Sequence, residues 1–141
     1  MTVPLGYAHA SEQFDAFMEA LRVRYDHVTT HQTYQTVEAV FRVFRRRLTA
    51  DQVLMFADTL PAVLRAVFVA DWRPGEVQAS FGERAVLTAE VLAYRGRHNF
   101  SPDTAIADMA DILRRFVDRS AFETILAALP DGAAAFWALP G

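Results

Sequence analysis

Apolar residues recur along the chain at spacings of three and four, with hardly any sustained alternation. That period belongs to helices that bury one face, so the sequence predicts an all-α fold and argues against a β-rich one. Phe14, Phe17, Met18, Leu21 and Tyr25 fall on one helical face, with Ser11 as the expected cap. Val37, Val40, Phe41, Phe44 and Leu48 form a second stripe. Thr49 is followed three residues later by Gln52, a capping box that opens a third helix around Val53, Phe56, Ala57 and Leu60. Pro61 fits the first turn of a fourth helix, whose stripe is Val63, Leu64, Val67 and Phe68.

Asp71-Trp72-Arg73-Pro74-Gly75 breaks the pattern. Proline restrains the preceding arginine to extended geometry, which marks a boundary. Ser80-Phe81-Gly82-Glu83 reads as another capping box, ahead of Val86, Leu87, Val91 and Tyr94, with Gly96 helping to end that helix. Ser101-Pro102 combines a cap with a proline at the first helical position, before Ile106, Met109, Leu113, Phe116 and Val117. Asp118 is placed to cap a seventh helix carrying Phe122, Ile125, Leu126 and Leu129, and a short glycine-bearing stretch from Asp131 to Gly141 follows.

A shift of 69 positions superimposes Val37–Phe68 on Ile106–Trp137 without a gap. Val40 meets Met109, Phe44 meets Leu113, Leu60-Pro61 meets Leu129-Pro130, and Phe68 meets Trp137. A unit that exposes a hydrophobic face alone can cover it against its twin. The expected architecture is about eight short helices arranged as two pseudo-repeated four-helix units, approximately 11–72 and 80–138, joined by 73–79 within one domain spanning 1–141.

Composition narrows the chemistry. Hydrophobic types make up 52% of the 141 residues, with 11 Phe and 2 Trp, enough for a sizeable core. Lys plus Arg number 14 against 17 acids, and every cation is arginine, so lysine-based Schiff-base and phosphate-loop chemistry is excluded from this chain. Cysteine is absent, which excludes disulfides, thiolate metal sites and cysteine nucleophiles. The formal charge of -3 gives no general attraction to nucleic acid or anionic membrane, and neither is expected as a partner. Neither a signal-peptide pattern nor an apolar run of membrane-spanning length is seen, which makes a soluble cytoplasmic protein the default expectation.

The stretch from Ala39 to Pro74 resembles a bacterial family catalogued as a domain of unknown function, number 2267. The resemblance rests on Arg47-Leu48 at the end of an apolar helix, Leu60-Pro61 closing an acidic capped helix, Leu64-Arg65, and Asp71-Trp72-Arg73-Pro74. It extends more loosely from Ser11 to Trp137, where Asp131-Gly132 follows the second Leu-Pro pair and no second Trp-Arg-Pro occurs. It implies an all-helical duplicated fold and carries no activity, because the shared positions are apolar, cap and turn residues.

Two places stand out as candidate interaction sites. Trp72 and Arg73 combine an aromatic anchor with a guanidinium, as interface centres do, although a tryptophan there also serves to close the seam between the units. Arg42, Arg45 and Arg46 recur at helical neighbour spacing, a pattern suited to phosphate or an acidic partner and equally to ending a helix; Arg47 is rotated away. Asp26, His27 and His31 form the one local set resembling metal ligands, with His9 and His98 as remote additions, but Thr29 and Thr30 interrupt the helix that convergence needs. Glu12, Asp15 and Glu19, and later Asp103, Asp108 and Asp111, read as wet acidic helix faces rather than catalytic pairs. No catalytic, cofactor-binding or metal residue is nominated, and no cofactor is expected.

The expected function is a noncatalytic helical protein-interaction module, with self-association as a homodimer one form of it. This expectation includes an exposed apolar patch at the unit seam or at the Phe/Trp-rich C-terminal tail. The alternative is a small-ligand-binding or sensory protein with a pocket between the helical units, and an enzyme ranks behind both.

Overall fold

The computed structural model describes residues 3–94, 96 and 99–139. Among these residues the chain forms nine α-helices and no strand: α1 (Leu5–Ala8), α2 (Ala10–Tyr25), α3 (Thr30–Arg45), α4 (Ala50–Ala57), α5 (Ala62–Val69), α6 (Arg84–Ala93), α7 (Ala105–Arg114), α8 (Arg119–Ala128) and α9 (Asp131–Phe136). The all-α expectation holds, with the short α1 as an addition. No helix among the described residues is long and apolar enough to cross a membrane.

The helix boundaries follow the caps, with three corrections. Thr49 forms the expected capping box with Gln52, and the Asp118 carboxylate accepts from the Ala121 N–H at 3.0 Å. Pro61 and Pro130 both sit immediately before helices, where the missing N–H costs nothing. Ser11 does not cap α2, because the chain is already helical at Ala10 and the Gln13 N–H bonds the His9 carbonyl. The Ser80–Glu83 box does not form: α6 starts at Arg84 without a side-chain cap. Phe81 has turned inward, where it lies against Phe44 and so close to Gly132 that a Cβ there would overlap its ring. Ser101 does not cap α7 either. Its hydroxyl donates to the Thr36 hydroxyl at 3.0 Å, while α7 begins only at Ala105.

α2 and α3 are separated by Asp26 in the left-handed conformation (φ 58°) and by a capping box between Thr29 and Gln32. α2 packs against α3, α5 and α7, and α3 also packs against α5, α6 and α7. α4 lies against α5 and α8, and α9 lies against α8. The long helices α2 and α3 therefore run through the middle, and their apolar faces meet the second half of the chain directly.

The centre of that contact is aromatic. Phe44 lies 4.8 Å from Phe56, 5.0 Å from Phe136 and 5.4 Å from Trp137 between ring centroids, and Phe56 stacks on Trp137 at 5.6 Å. Phe41, Phe68 and Phe122 complete the cluster, all fully buried. Offset and edge-on arrangements add to the stabilisation that area burial alone gives. The C-terminal tail is thus not an exposed apolar patch. Phe136 and Trp137 are 0% exposed and fill the middle of the core.

Candidate functional site

The last turn of α3 leaves carbonyls that need donors. They come from the connection between α5 and α6: the Ala79 N–H donates to the Arg46 carbonyl at 2.9 Å and the Gln78 amide to the Arg47 carbonyl at 2.8 Å. The connection is thereby drawn across the end of α3, which lays Trp72, Arg73 and Pro74 beside Arg45 and Arg46. α3 holds the other side of the same connection. Arg45 donates Nη1 to the carbonyls of Phe68 and Ala70 at 2.9 and 2.8 Å, and Arg42 reaches the Asp71 carboxylate at 3.3 Å.

α6 forms the opposite wall. Its Glu90 pairs with Arg46 and with Arg47, and the Tyr94 hydroxyl donates to Glu38 at 3.0 Å while the Arg42 guanidinium lies 5.9 Å from the Tyr94 ring centroid. Between these walls an open groove of about 260 Å³ is lined by Arg42, Arg45, Arg46, Asp71, Glu76 and Glu90. The two interaction candidates of the sequence adjoin beside this groove, where Trp72 and Arg73 lie next to Arg45 and Arg46.

The structure sorts the nominated residues. Trp72 is half-buried against the core, and Arg73 is exposed. Arg42 is partly exposed and Arg46 is exposed. Arg45, at 5% exposure, is largely interior, and its Nη1 donates to two carbonyls at the end of α5. Burial, and then repulsion from Arg42, lowers its pKa from the usual arginine value. Arg47 is also buried, at 6%, donating to the Val43 carbonyl at 2.7 Å. The Nε atoms of Arg42, Arg45 and Arg47 are buried without an acceptor.

Asp26, His27 and His31 do not converge. His27 is buried, with Nε2 at 2.8 Å from the Phe100 carbonyl and Nδ1 at 3.0 Å from the Thr33 hydroxyl. A carbonyl only accepts, so Nε2 donates to Phe100. His31 is exposed beside Gln35, His9 pairs with Glu12 at 3.3 Å, and His98 lies outside the described residues. No group of three or more potential metal ligands occurs among the described residues.

The acidic faces have local partners. Glu19 bonds Arg22, and Asp108 and Asp111 both receive Arg24 from α2, at 3.5 and 2.7 Å. The Arg24 hydrogen bond holds the Asp111 pKa below the usual carboxylate value. Asp103 is exposed. Asp15 and Glu19 edge a second open groove, about 550 Å³, over Phe14, Met18 and Tyr34 between α2 and α3.

The sequence reading did not single out Glu90, Gln78, Glu123 or Arg84. Glu123 receives Arg114 Nε at 2.6 Å, and Arg84 donates to the carbonyls of Ala135 and Phe136 at 2.8 and 2.9 Å. These partners lie far from one another in sequence, with no local spacing to reveal them. The Thr29–Gln32 box was visible as Thr followed three residues later by Gln, the same signal used at Thr49.

A family model described as an uncharacterized conserved protein (DUF2267) matches residues 14–136. The chain belongs to this family. The match runs from within α2 to the end of α9, so the DUF2267 region includes both walls of the groove and the core phenylalanines up to Phe136. No curated protein matches the chain.

Proposed function

We propose that this DUF2267 protein is a noncatalytic helical interaction module that docks a protein partner on the edge formed by Trp72, Arg73 and the exposed end of α3. The observation that carries this reading is the bracing of the Trp72-Arg73 segment from both sides. The Ala70 carbonyl is held by Arg45, while Gln78 and Ala79 hold the end of α3. A half-buried tryptophan and an exposed guanidinium on a segment fixed before binding are an anchor pair that loses little freedom on association. The seam that a ligand pocket between the units would occupy is filled by Phe44, Phe56, Phe122 and Trp137.

The same reading treats the molecule as two copies of one helical unit. Arg45 and Arg114 are related by the 69-residue shift, as are their acceptors Phe68 and Trp137, and both arginines donate Nη1 to those carbonyls. α2 packs on α7 as α6 packs on α3, so the first helix of each copy lies against the second helix of the other. The counterpart of the anchor Trp72 under the shift is Gly141, which leaves the tryptophan-anchored edge to the first copy and favours a one-to-one complex.

The test is affinity purification of tagged chain from its own cells, with wild type, Trp72→Ala, Arg73→Glu and the surface control Leu54→Ala compared by quantitative mass spectrometry. A protein retained by wild type and Leu54→Ala and lost from both edge variants is the expected result. Retention of every co-purifying protein by the edge variants would contradict the assignment.

A further inference from the structure

The groove holds more positive hydrogen-bonding capacity than the chain itself uses. Arg42 and Arg45 stand three apart on α3 and both line it, and the Nε of each is buried without an acceptor. A dehydrated charged donor without a partner is unfavourable, so an acceptor brought within its reach is stabilised. Arg45 cannot swing away to find one, since it is 5% exposed and its Nη1 is fixed on two carbonyls.

The negative groups at the groove are unequal. Glu90 is engaged by Arg46 and Arg47, and Glu76 is exposed on the connecting segment. Asp71 is the carboxylate on Arg42, yet its side chain is 85% exposed, the contact is long at 3.3 Å, and its backbone is left-handed at φ 57°. An exposed pair of this kind contributes little and yields easily to a better-placed acceptor.

We propose that the groove between α3 and α6 is a carboxylate-binding site, in which an Asp or Glu side chain of the partner displaces Asp71 from Arg42 and is shared with Arg45. Asp71 is then a built-in competitor that keeps the arginines covered until the partner arrives. A carboxylate fits better than a phosphate because Asp71, Glu76 and Glu90 line the same groove, and a dianion meets more repulsion from them than a monoanion does. This deepens the interaction reading and rests on it for the source of the carboxylate.

The experiment is a titration followed by ¹H–¹⁵N spectra in which the arginine Nε–H signals are resolved. The probes are a capped hexaglutamate peptide and inorganic phosphate at matched ionic strength. The proteins are wild type, Asp71→Asn and Arg42→Gln. Asparagine keeps the shape of Asp71 and tolerates its backbone conformation, so only the charge is removed. Hexaglutamate is expected to shift the Nε–H signals of Arg42 and Arg45, to bind Asp71→Asn about two- to fivefold more tightly, and to lose the Arg45 shift in Arg42→Gln. Unchanged or weaker binding by Asp71→Asn, no shift at Arg45 in wild type, or tighter binding of phosphate than of the peptide would each overturn the proposal. If the groove is silent while a cellular partner still depends on Trp72 and Arg73, this inference falls alone. If the groove binds hexaglutamate while partner capture ignores those residues, the docking edge falls and the carboxylate site stands.

Discussion

Arginine is the only cation in this chain, and at the residue scale the reason is visible in what the guanidinium does. Arg22, Arg45, Arg47, Arg65, Arg84 and Arg114 each donate to backbone carbonyls, and many of these sit at helix ends. A planar fork can serve two carbonyls at once, which a lysine ammonium on its flexible stem does less well. Removing such a group strands the carbonyls it served. Arg45→Met is therefore expected to lower the unfolding free energy by about 2–4 kcal/mol, since each buried unpaired acceptor costs about 1–3 kcal/mol. Arg46→Met, which loses only an exposed pair with Glu90, should stay within about 1 kcal/mol of wild type. Urea unfolding of the two variants checks the order, and equal losses would show that Arg45 is not structural. Tyr25 gives a second residue-scale expectation. It is buried and donates to the Ala105 carbonyl at 2.7 Å, and burial, reinforced by the Asp108 charge, raises its pKa well above the usual value. The unfolded phenol ionises near about pH 10. The stability from folded, neutral Tyr25 is thus complete below that pH and is lost as pH rises toward the folded pKa. The stability difference between wild type and Tyr25→Phe should narrow between about pH 9 and pH 11, and a constant difference would contradict the burial of this hydroxyl.

At the scale of elements, caps separate signals that formed from signals that tertiary contacts overrode. Thr49→Ala should cost about 1 kcal/mol, because its box with Gln52 is made, whereas Ser80→Ala should cost almost nothing. Denaturant midpoints for the pair measure this directly. Gly132→Ala is expected to cost about 1–3 kcal/mol, since a methyl group would overlap the Phe81 ring at the start of α9, while Gly75→Ala meets nothing within 4 Å and should be neutral or slightly stabilising. These contrasts explain what was legible. Apolar stripes such as Val37, Val40, Phe41 and Phe44 predict α3, and Thr49, Pro61 and Asp118 predict helix starts, because each depends on neighbours within four residues. Ser80 and Ser101 carry the same local signals and fail. Phe81 is drawn onto α9, and Ser101 is drawn onto Thr36 of α3, and neither long-range contact leaves a trace in local spacing.

For the whole molecule, the sequence shows which residues are buried and leaves open what buries them. Trp137 lies in a glycine-bearing tail that reads as insecure, yet it occupies the centre of the core among Phe44, Phe56 and Phe136. The candidate site was half legible. Trp72, Arg73, Arg42 and Arg46 were singled out as two separate features, and only the packing of α6 on α3 and the passage of residues 78 and 79 over the end of α3 bring them together. Arg45 shares the groove with Arg42 as helical spacing predicts, and the carbonyls of Phe68 and Ala70, distant in sequence, hold its Nη1 inside. The proposed working part of the molecule is the exposed edge and not an interior pocket. Native mass spectrometry of the protein purified gently from its own cells tests that claim most directly. The predicted result is a one-to-one complex with a second polypeptide that dissociates under activation and is missing when Arg73 is changed to glutamate. A homodimer would move the edge to a self-contact. A monomer carrying a small-molecule adduct that survives buffer exchange and repeats between preparations would contradict the account.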